Sequence, residues 1–215
     1  MVTFNYDTLL EEAFASLGMK FESLDDYVSR NDFKIIKLHG SVNWVREPTI
    51  PIMSKKVDPV LVANDVLKTA DKMEFSDKYH LVPKAQRQQH IFSYITNPDK
   101  PGRSVVFPAI AIPLEKKTKY ECPKEHVEAL QECISRTDKL LIIGWKAAEE
   151  NFVGLLSKGL EKEIPKMFVS RSKESAEKIH NTLINAGIDG AHWLLGEGGF
   201  RDEVRSGRIE RFIGK

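Results

Sequence analysis

Met1-Val2-Thr3-Phe4-Asn5-Tyr6-Asp7 is the stretch that decides the fold, because a strand tail stops there on polar groups and passes straight into a helical pattern. Further along, Lys37-Leu38-His39-Gly40-Ser41 does the same: a short strand over Lys34 to Leu38 stops on an imidazole, a glycine and a hydroxyl. In an open α/β sheet, ligands bind beyond the carboxyl ends of the strands. One of these ends carries the Asn5 amide and the Asp7 carboxylate, the other the His39 imidazole. Together they point to one site assembled from separated segments.

The rest of the chain keeps the same rhythm. Thr8 to Leu17 reads as an amphipathic helix, with Leu9, Leu10, Ala13, Phe14 and Leu17 on its inward face. Thr8 and Glu11 have the spacing of a capping box, and Gly18 supplies the stop. Asp138 to Gly144 is the strongest strand, its continuous apolar centre suited to burial on both faces. A helix with Phe152, Val153, Leu156 and Leu160 along one side follows. Next come a strand at Lys166 to Ser170, a helix at Ser172 to Ala186 and a short strand at His192 to Leu195. Pro123 to Arg136 reads as a helix with proline in its first turn, and Val105-Val106-Phe107 as one more strand. Alternating strands and helices predict βαβ units, a mostly parallel sheet and helices on both faces. Residues 44–104 break the rhythm and read as a small-lobe insertion, with helices at Val62 to Phe75 and Lys84 to Tyr94, between core segments 1–43 and 105–215.

Composition narrows the class. The 215 residues are 41% hydrophobic and 29% charged, as in ordinary globular proteins. A net charge of +1 gives no global attraction to nucleic acid or to an anionic membrane. No apolar run approaches the ~20 residues needed to span a bilayer, and the acidic start is unlike a signal peptide. The cytoplasm is the expected location. Cys122 and Cys133 are the only cysteines. They do not form the close pairs of a structural zinc site, so no metal is expected.

Each chemistry-bearing residue has two readings. Asn5 and Asp7 suit a ligand at a strand end, and equally a turn and a helix cap. His39 can take a proton near neutrality, or it can be a hydrogen-bonded histidine at a strand end. Gly40 admits a ligand or another backbone. Gly144 suits the approach of a phosphate or ribose, or a tight turn, and Trp145 either shields a nucleotide ring or packs the core. His80, His90 and His192 lack the strand-end setting, and His126 and His180 read as solvated helix faces. Gly196-Glu197-Gly198-Gly199 reads as a turn, because too little chain follows it for a dinucleotide-binding unit.

Taken together, these segments resemble the sirtuin-like, NAD-consuming family. Thr3-Phe4-Asn5-Tyr6-Asp7 is similar to its Thr-Gln-Asn-Ile-Asp segment. Lys37-Leu38-His39-Gly40-Ser41 is similar to the Glu-Leu-His-Gly-Ser segment that carries the family's catalytic histidine. Asn5-Tyr6-Asp7 and Leu38 to Trp44 resemble the bacterial sirtuin-like branch in particular. The resemblance implies a Rossmann-like fold and cleavage of the nicotinamide–ribose bond, with NAD as substrate. It implies Asn5, Asp7 and His39 as catalytic residues, with Thr3, Gly40, Ser41, Gly144, Trp145 and Ser170 contacting NAD. The resemblance also implies NAD hydrolysis in antiphage defence, a role in which such prokaryotic domains often act, fused to or partnered with other domains.

The chain departs from the family pattern at several points. Phe4 replaces a glutamine, Gly144-Trp145-Lys146 replaces a hydroxyl-bearing turn, and Ser170 replaces an asparagine. The two cysteine pairs that hold zinc in sirtuin deacylases are missing. The family's first strand and its Gly-Ala-Gly loop precede the Asn5 segment. Both are expected to be absent here, which predicts a fragment, a mis-started product or half of a complemented assembly, with impaired activity and an edge open to self-association. An inactive binding module and a zinc-free deacylase are the alternative readings.

Overall fold

A computed structural model describes residues 1–49, 74–82, 106–111, 120–160, 163–195 and 199–214. The two helices read within 62–94 lie outside these residues, except for Glu74 and Phe75 at the end of the first, of which Phe75 begins a strand. Val105 and residues 196–198 of the glycine-rich turn also lie outside. The chain divides into two compact units, Met1–Ala129 and Leu130–Lys215.

In the first unit, β1 (Val2–Thr3) pairs in parallel with β2 (Ile36–Lys37), in the register Val2 to Ile36 and Thr3 to Lys37. The helix α1 (Leu9–Ser16) and a 3₁₀ turn at Asp25–Tyr27 connect them. The strand β3 (Gly40–Pro48) follows one tight turn after β2 and pairs antiparallel with both β4 (Phe75–Leu81) and β5 (Phe107–Ile110). This corrects the sequence reading of a parallel strand near Val105–Phe107. The apolar tripeptide does lead into a strand, but its partner is the hairpin strand Gly40–Pro48. Polar residues such as Asn43 and Arg46 hide β3 from a search for continuous apolar runs.

α1 does not present the face its apolar residues predict. Leu9 is 68% exposed and Leu17 73%, whereas Glu11 is buried. The helix is turned so that Leu10, Glu11 and Phe14 look inward. Phe14 stacks on Phe33 at 4.7 Å between ring centroids. The capping box is also replaced. The Thr8 hydroxyl donates to Glu12, and the Asp7 carboxylate accepts from the Leu9 amide at 3.1 Å, so Asp7 is the cap.

The core of this unit is aromatic. Tyr27 and Trp44 have no exposed surface, and their rings meet edge-on at 5.3 Å. The Trp44 ring meets His126 in the same way, also at 5.3 Å. His126, on α2 (Lys124–Ser135), is therefore core and not a solvated face. Fully burying an apolar side chain of this size is worth roughly 1.5–3 kcal/mol, and edge-on ring pairs add to it.

In the second unit, β6 (Leu140–Ile143), β7 (Lys166–Val169) and β8 (His192–Leu195) form a parallel sheet in that order. The strands alternate with α3 (Glu150–Gly159) and α4 (Lys173–Asn185). This is the βαβαβ pattern predicted from sequence. Phe152, Val153 and Leu156 of α3 are buried as the helical spacing requires. The Ser172 side chain caps α4 by accepting from the Ser175 amide at 3.2 Å. Met167 and Val169 pack with Ile209 and Phe212, so the terminal helices α5 (Gly199–Arg205) and α6 (Arg208–Ile213) complete the core of the unit. His180 is half-buried and lies against His192 at 3.9 Å between ring centroids, again not a solvated face.

His126 gives this fold a defined response to pH. Its Nε2 lies 3.0 Å from the Leu24 carbonyl, which can only accept, so Nε2 carries the proton. Nδ1 is buried without a hydrogen-bond partner. Burial holds the imidazole below its usual range, against the opposing pull of the Leu24 carbonyl and the Glu125 and Asp25 carboxylates. An unfolded chain takes up a proton near pH ~6.5 that the folded chain refuses. The stabilising contribution is thus complete above that value and is lost as pH falls, at no more than ~1.4 kcal/mol per pH unit. Urea midpoints measured between pH 7.5 and 5 are expected to fall less steeply in His126→Gln than in the parent, and equal slopes would contradict this.

Candidate functional site

Two chain segments meet in the first unit, and backbone bonds join them along their length. The Leu38 amide donates to the Thr3 carbonyl at 3.2 Å, and the Val42 amide donates to the Tyr6 carbonyl at 2.8 Å. The Tyr6 carbonyl also accepts from the Ser41 hydroxyl at 3.3 Å. Between these ties, the Phe4 ring meets the His39 imidazole edge-on, with 5.1 Å between centroids. The end of β1 and the end of β2 therefore form one rim. Asn5 is exposed on it, and Asp7 and His39 are half-exposed beside it.

Local chemistry shapes each side of the rim. The Thr3 hydroxyl accepts from the Asn5 amide at 3.1 Å and bends the chain away from β1. The cap at Asp7 then starts α1. On the other side, Gly40 has φ +75°, and a Cβ there would lie 1.9 Å from the Ala109 carbonyl oxygen. Gly40 is thus required by another backbone, the second of the two approaches the sequence left open. The His39 carbonyl accepts from the Ala111 amide at 2.9 Å, and the Leu38 carbonyl from the Glu121 amide at 3.0 Å. Ser41 is fully buried, its hydroxyl turned to Tyr6.

Beneath the rim lies an ion pair that the sequence reading missed. The Lys37 ammonium is 2.8 Å from a Glu11 carboxylate oxygen, and the two side chains are 1% and 10% exposed. The same ammonium donates to the Asp7 carbonyl. The Tyr27 hydroxyl donates to the same Glu11 oxygen at 2.9 Å. Burial, and then the Glu11 charge, push the Tyr27 phenol far above its usual range, so it remains a donor. One signal was available in the sequence. A lysine flanked by Ile36 and Leu38 in a strand needs a buried acceptor if that strand is covered on both faces.

A second clamp supports the same turn from the hairpin side. Arg46 pairs with Glu121 at 2.6 Å and donates to the Ser76 carbonyl at 2.8 Å. Its guanidinium lies over the Tyr79 ring, 4.8 Å from the centroid. The neighbouring Cys122 thiol is pushed up to about 12, first by burial and then by Glu121, and is unreactive at neutral pH.

The remaining sequence-predicted residues gather in the second unit. Gly144 follows β6, and its amide donates to the Val169 carbonyl at 3.0 Å. Ser170 follows β7 and is buried, its hydroxyl donating to the Ser172 carbonyl at 2.5 Å. Both therefore lie at the carboxyl edge of one parallel sheet. Gly144 has φ +62° and open space where a Cβ would sit, so the turn needs glycine while its outer side stays accessible. Trp145 is half-buried, donates to the Glu149 carboxylate, and meets Phe152 edge-on at 5.3 Å. Ala147, at φ +54°, adopts a left-handed backbone that alanine rarely holds, at a cost of ~1 kcal/mol. Such strain is concentrated at functional turns.

Among the described residues, no group of three or more His, Cys, Asp or Glu is arranged to hold a metal ion. No described helix is long and apolar enough to cross a membrane.

Parallel βαβ units with polar strand ends define a Rossmann-like α/β protein. A sequence model of the SIR2-like domain matches residues 1–189, and the chain belongs to that family. Domains of this kind use NAD, so the function of the chain is NAD-related. A search of curated proteins finds no match.

The geometry at Gly40 makes a direct prediction. Gly40→Ala drives a methyl group into the Ala109 backbone and forces a left-handed φ on alanine. A loss of about 2 kcal/mol or more in unfolding free energy is expected, measured by denaturant titration. A loss below ~0.5 kcal/mol, the range of neutral surface substitutions, would contradict the close approach.

Proposed function

We propose that this chain cleaves NAD by hydrolysis of the bond between nicotinamide and ribose. The observation that carries the reading is the rim, where the turn bearing Asn5 and Asp7 is bonded to the turn bearing His39. Family membership makes NAD the small molecule to seek there. Departure of nicotinamide leaves an oxocarbenium-like ribose, as in glycoside hydrolysis. Asn5, exposed on the rim, orients the attacking water or the ribose and the departing amide. Asp7 holds the turn through its cap on Leu9 and adds negative charge near the developing cation. His39 accepts a proton from water or from a ribose hydroxyl. Thr3 fixes the Asn5 turn, and Gly40 and Ser41 fix the His39 turn from within. Gly144, Trp145 and Ser170 are our candidates for the nucleotide end of NAD. Antiphage defence in the cytoplasm, with an effector domain or a second copy as partner, is the setting we propose.

A second reading has specific support. Ser41 is spent on the Tyr6 carbonyl, and the open side of Gly40 is filled by Ala109. Two residues expected to contact NAD therefore serve internal packing, which favours a binding module without turnover.

Release of nicotinamide from NAD by the purified chain separates the two. The hydrolase reading expects turnover that falls by roughly 100-fold or more in His39→Ala and falls likewise in Asn5→Ala. Release no greater than that of His39→Ala would leave the binding module.

A further inference from the structure

We infer that Lys37 is a positioning residue that holds the Asn5–Asp7 turn against His39 through its bond to the Asp7 carbonyl. The inference rests on the hydrolase reading above, which makes Asn5 and His39 act on one ribose. An ammonium 1% exposed has lost its hydration, and a paired carboxylate only partly offsets that loss. A core of similar volume filled with apolar side chains is often as stable, so the pair is weak evidence of a purely stabilising role.

Lys37 does more than pair. It is the last residue of β2, two before His39, and its side chain reaches the Asp7 carbonyl in the turn that follows β1. That carbonyl belongs to the turn carrying Asn5, at the point where α1 begins. One cation thereby bonds to the turn on one side and belongs to the His39 strand on the other. Glu11 compensates its charge, and Tyr27 occupies the same carboxylate oxygen. The second Glu11 oxygen is buried without a hydrogen-bond partner, so the carboxylate side of the network is imperfectly satisfied while the ammonium spans both segments. Positioning therefore falls to the ammonium and not to the ion pair as such.

The test compares Glu11→Gln with Glu11→Gln/Lys37→Met. Both lack the ion pair, and only the first keeps the bond to Asp7. The structural readout is the ring-current shift of the Phe4 ring on the His39 imidazole protons by NMR, which needs no turnover. Glu11→Gln is expected to keep that shift, and the double variant to lose it while remaining folded by urea titration. In the kinetic arm, kcat for nicotinamide release falls a further tenfold or more, roughly, from the first variant to the second, with KM changed little. Retention of the shift in the double variant overturns the inference, as does its loss in folded Glu11→Gln. If the double variant fails to fold, Glu11→Gln/Lys37→Gln takes its place, its side chain at position 37 too short to reach the Asp7 carbonyl, and the same two outcomes decide. If the parent releases no nicotinamide, the hydrolase reading fails, and the NMR arm still reports on Lys37.

Discussion

The buried Lys37 ammonium, bonded to both Glu11 and the Asp7 carbonyl, is the constraint on which the first unit depends. It decides which face of α1 turns inward, because Glu11 must reach the ammonium and bring Leu10 and Phe14 with it. Leu9 and Leu17 are left in solvent as a consequence. It ties the start of that helix to the strand ahead of His39. It also gives the Tyr27 hydroxyl an acceptor at the centre of an otherwise aromatic core.

Around this pair the molecule fixes the rim from three directions. The parallel β1–β2 contact sets the register of the two strand ends. The Tyr6 carbonyl, accepting from both Val42 and Ser41, closes the outer part of the turn. The Glu121 segment, held by Arg46, secures the inner part through Leu38 and lies beside Gly40. Asn5 and His39 stay accessible because the groups behind them are satisfied by one another. A rigid support beneath polar side chains at strand ends is what positional chemistry requires.

Much of this was legible in the sequence, and the exceptions share a cause. The second unit followed its periodicity closely. Leu140 to Ile143 is apolar throughout and became a parallel strand, but as the end strand of its sheet it buries only Ile142 and leaves Ile143 43% exposed, so the expected burial on both faces is not found; Ser172 capped the helix it precedes. The meeting of the Asn5 and His39 segments was also legible, since both are strand ends with polar termini. What failed were inferences that treat polarity as exposure. Glu11 and His126 are polar and buried, and each meets a partner distant in the chain, Lys37 for the first and the Leu24 carbonyl for the second. Pattern reading along one segment does not see such partners. The antiparallel hairpin built on Gly40 to Pro48 was missed for the same reason.

Membership in the SIR2-like family supplies the molecule to test, and the rim supplies the place. The central claim is that the Asn5 and His39 turns act as one surface toward NAD. Titration of the isotopically labelled chain with NAD, followed through backbone amide shifts, addresses it most directly. The account predicts that amides of residues 3–7 and 37–42 move together and saturate at a single concentration. Saturable shifts elsewhere, with both of these segments unmoved, would contradict it.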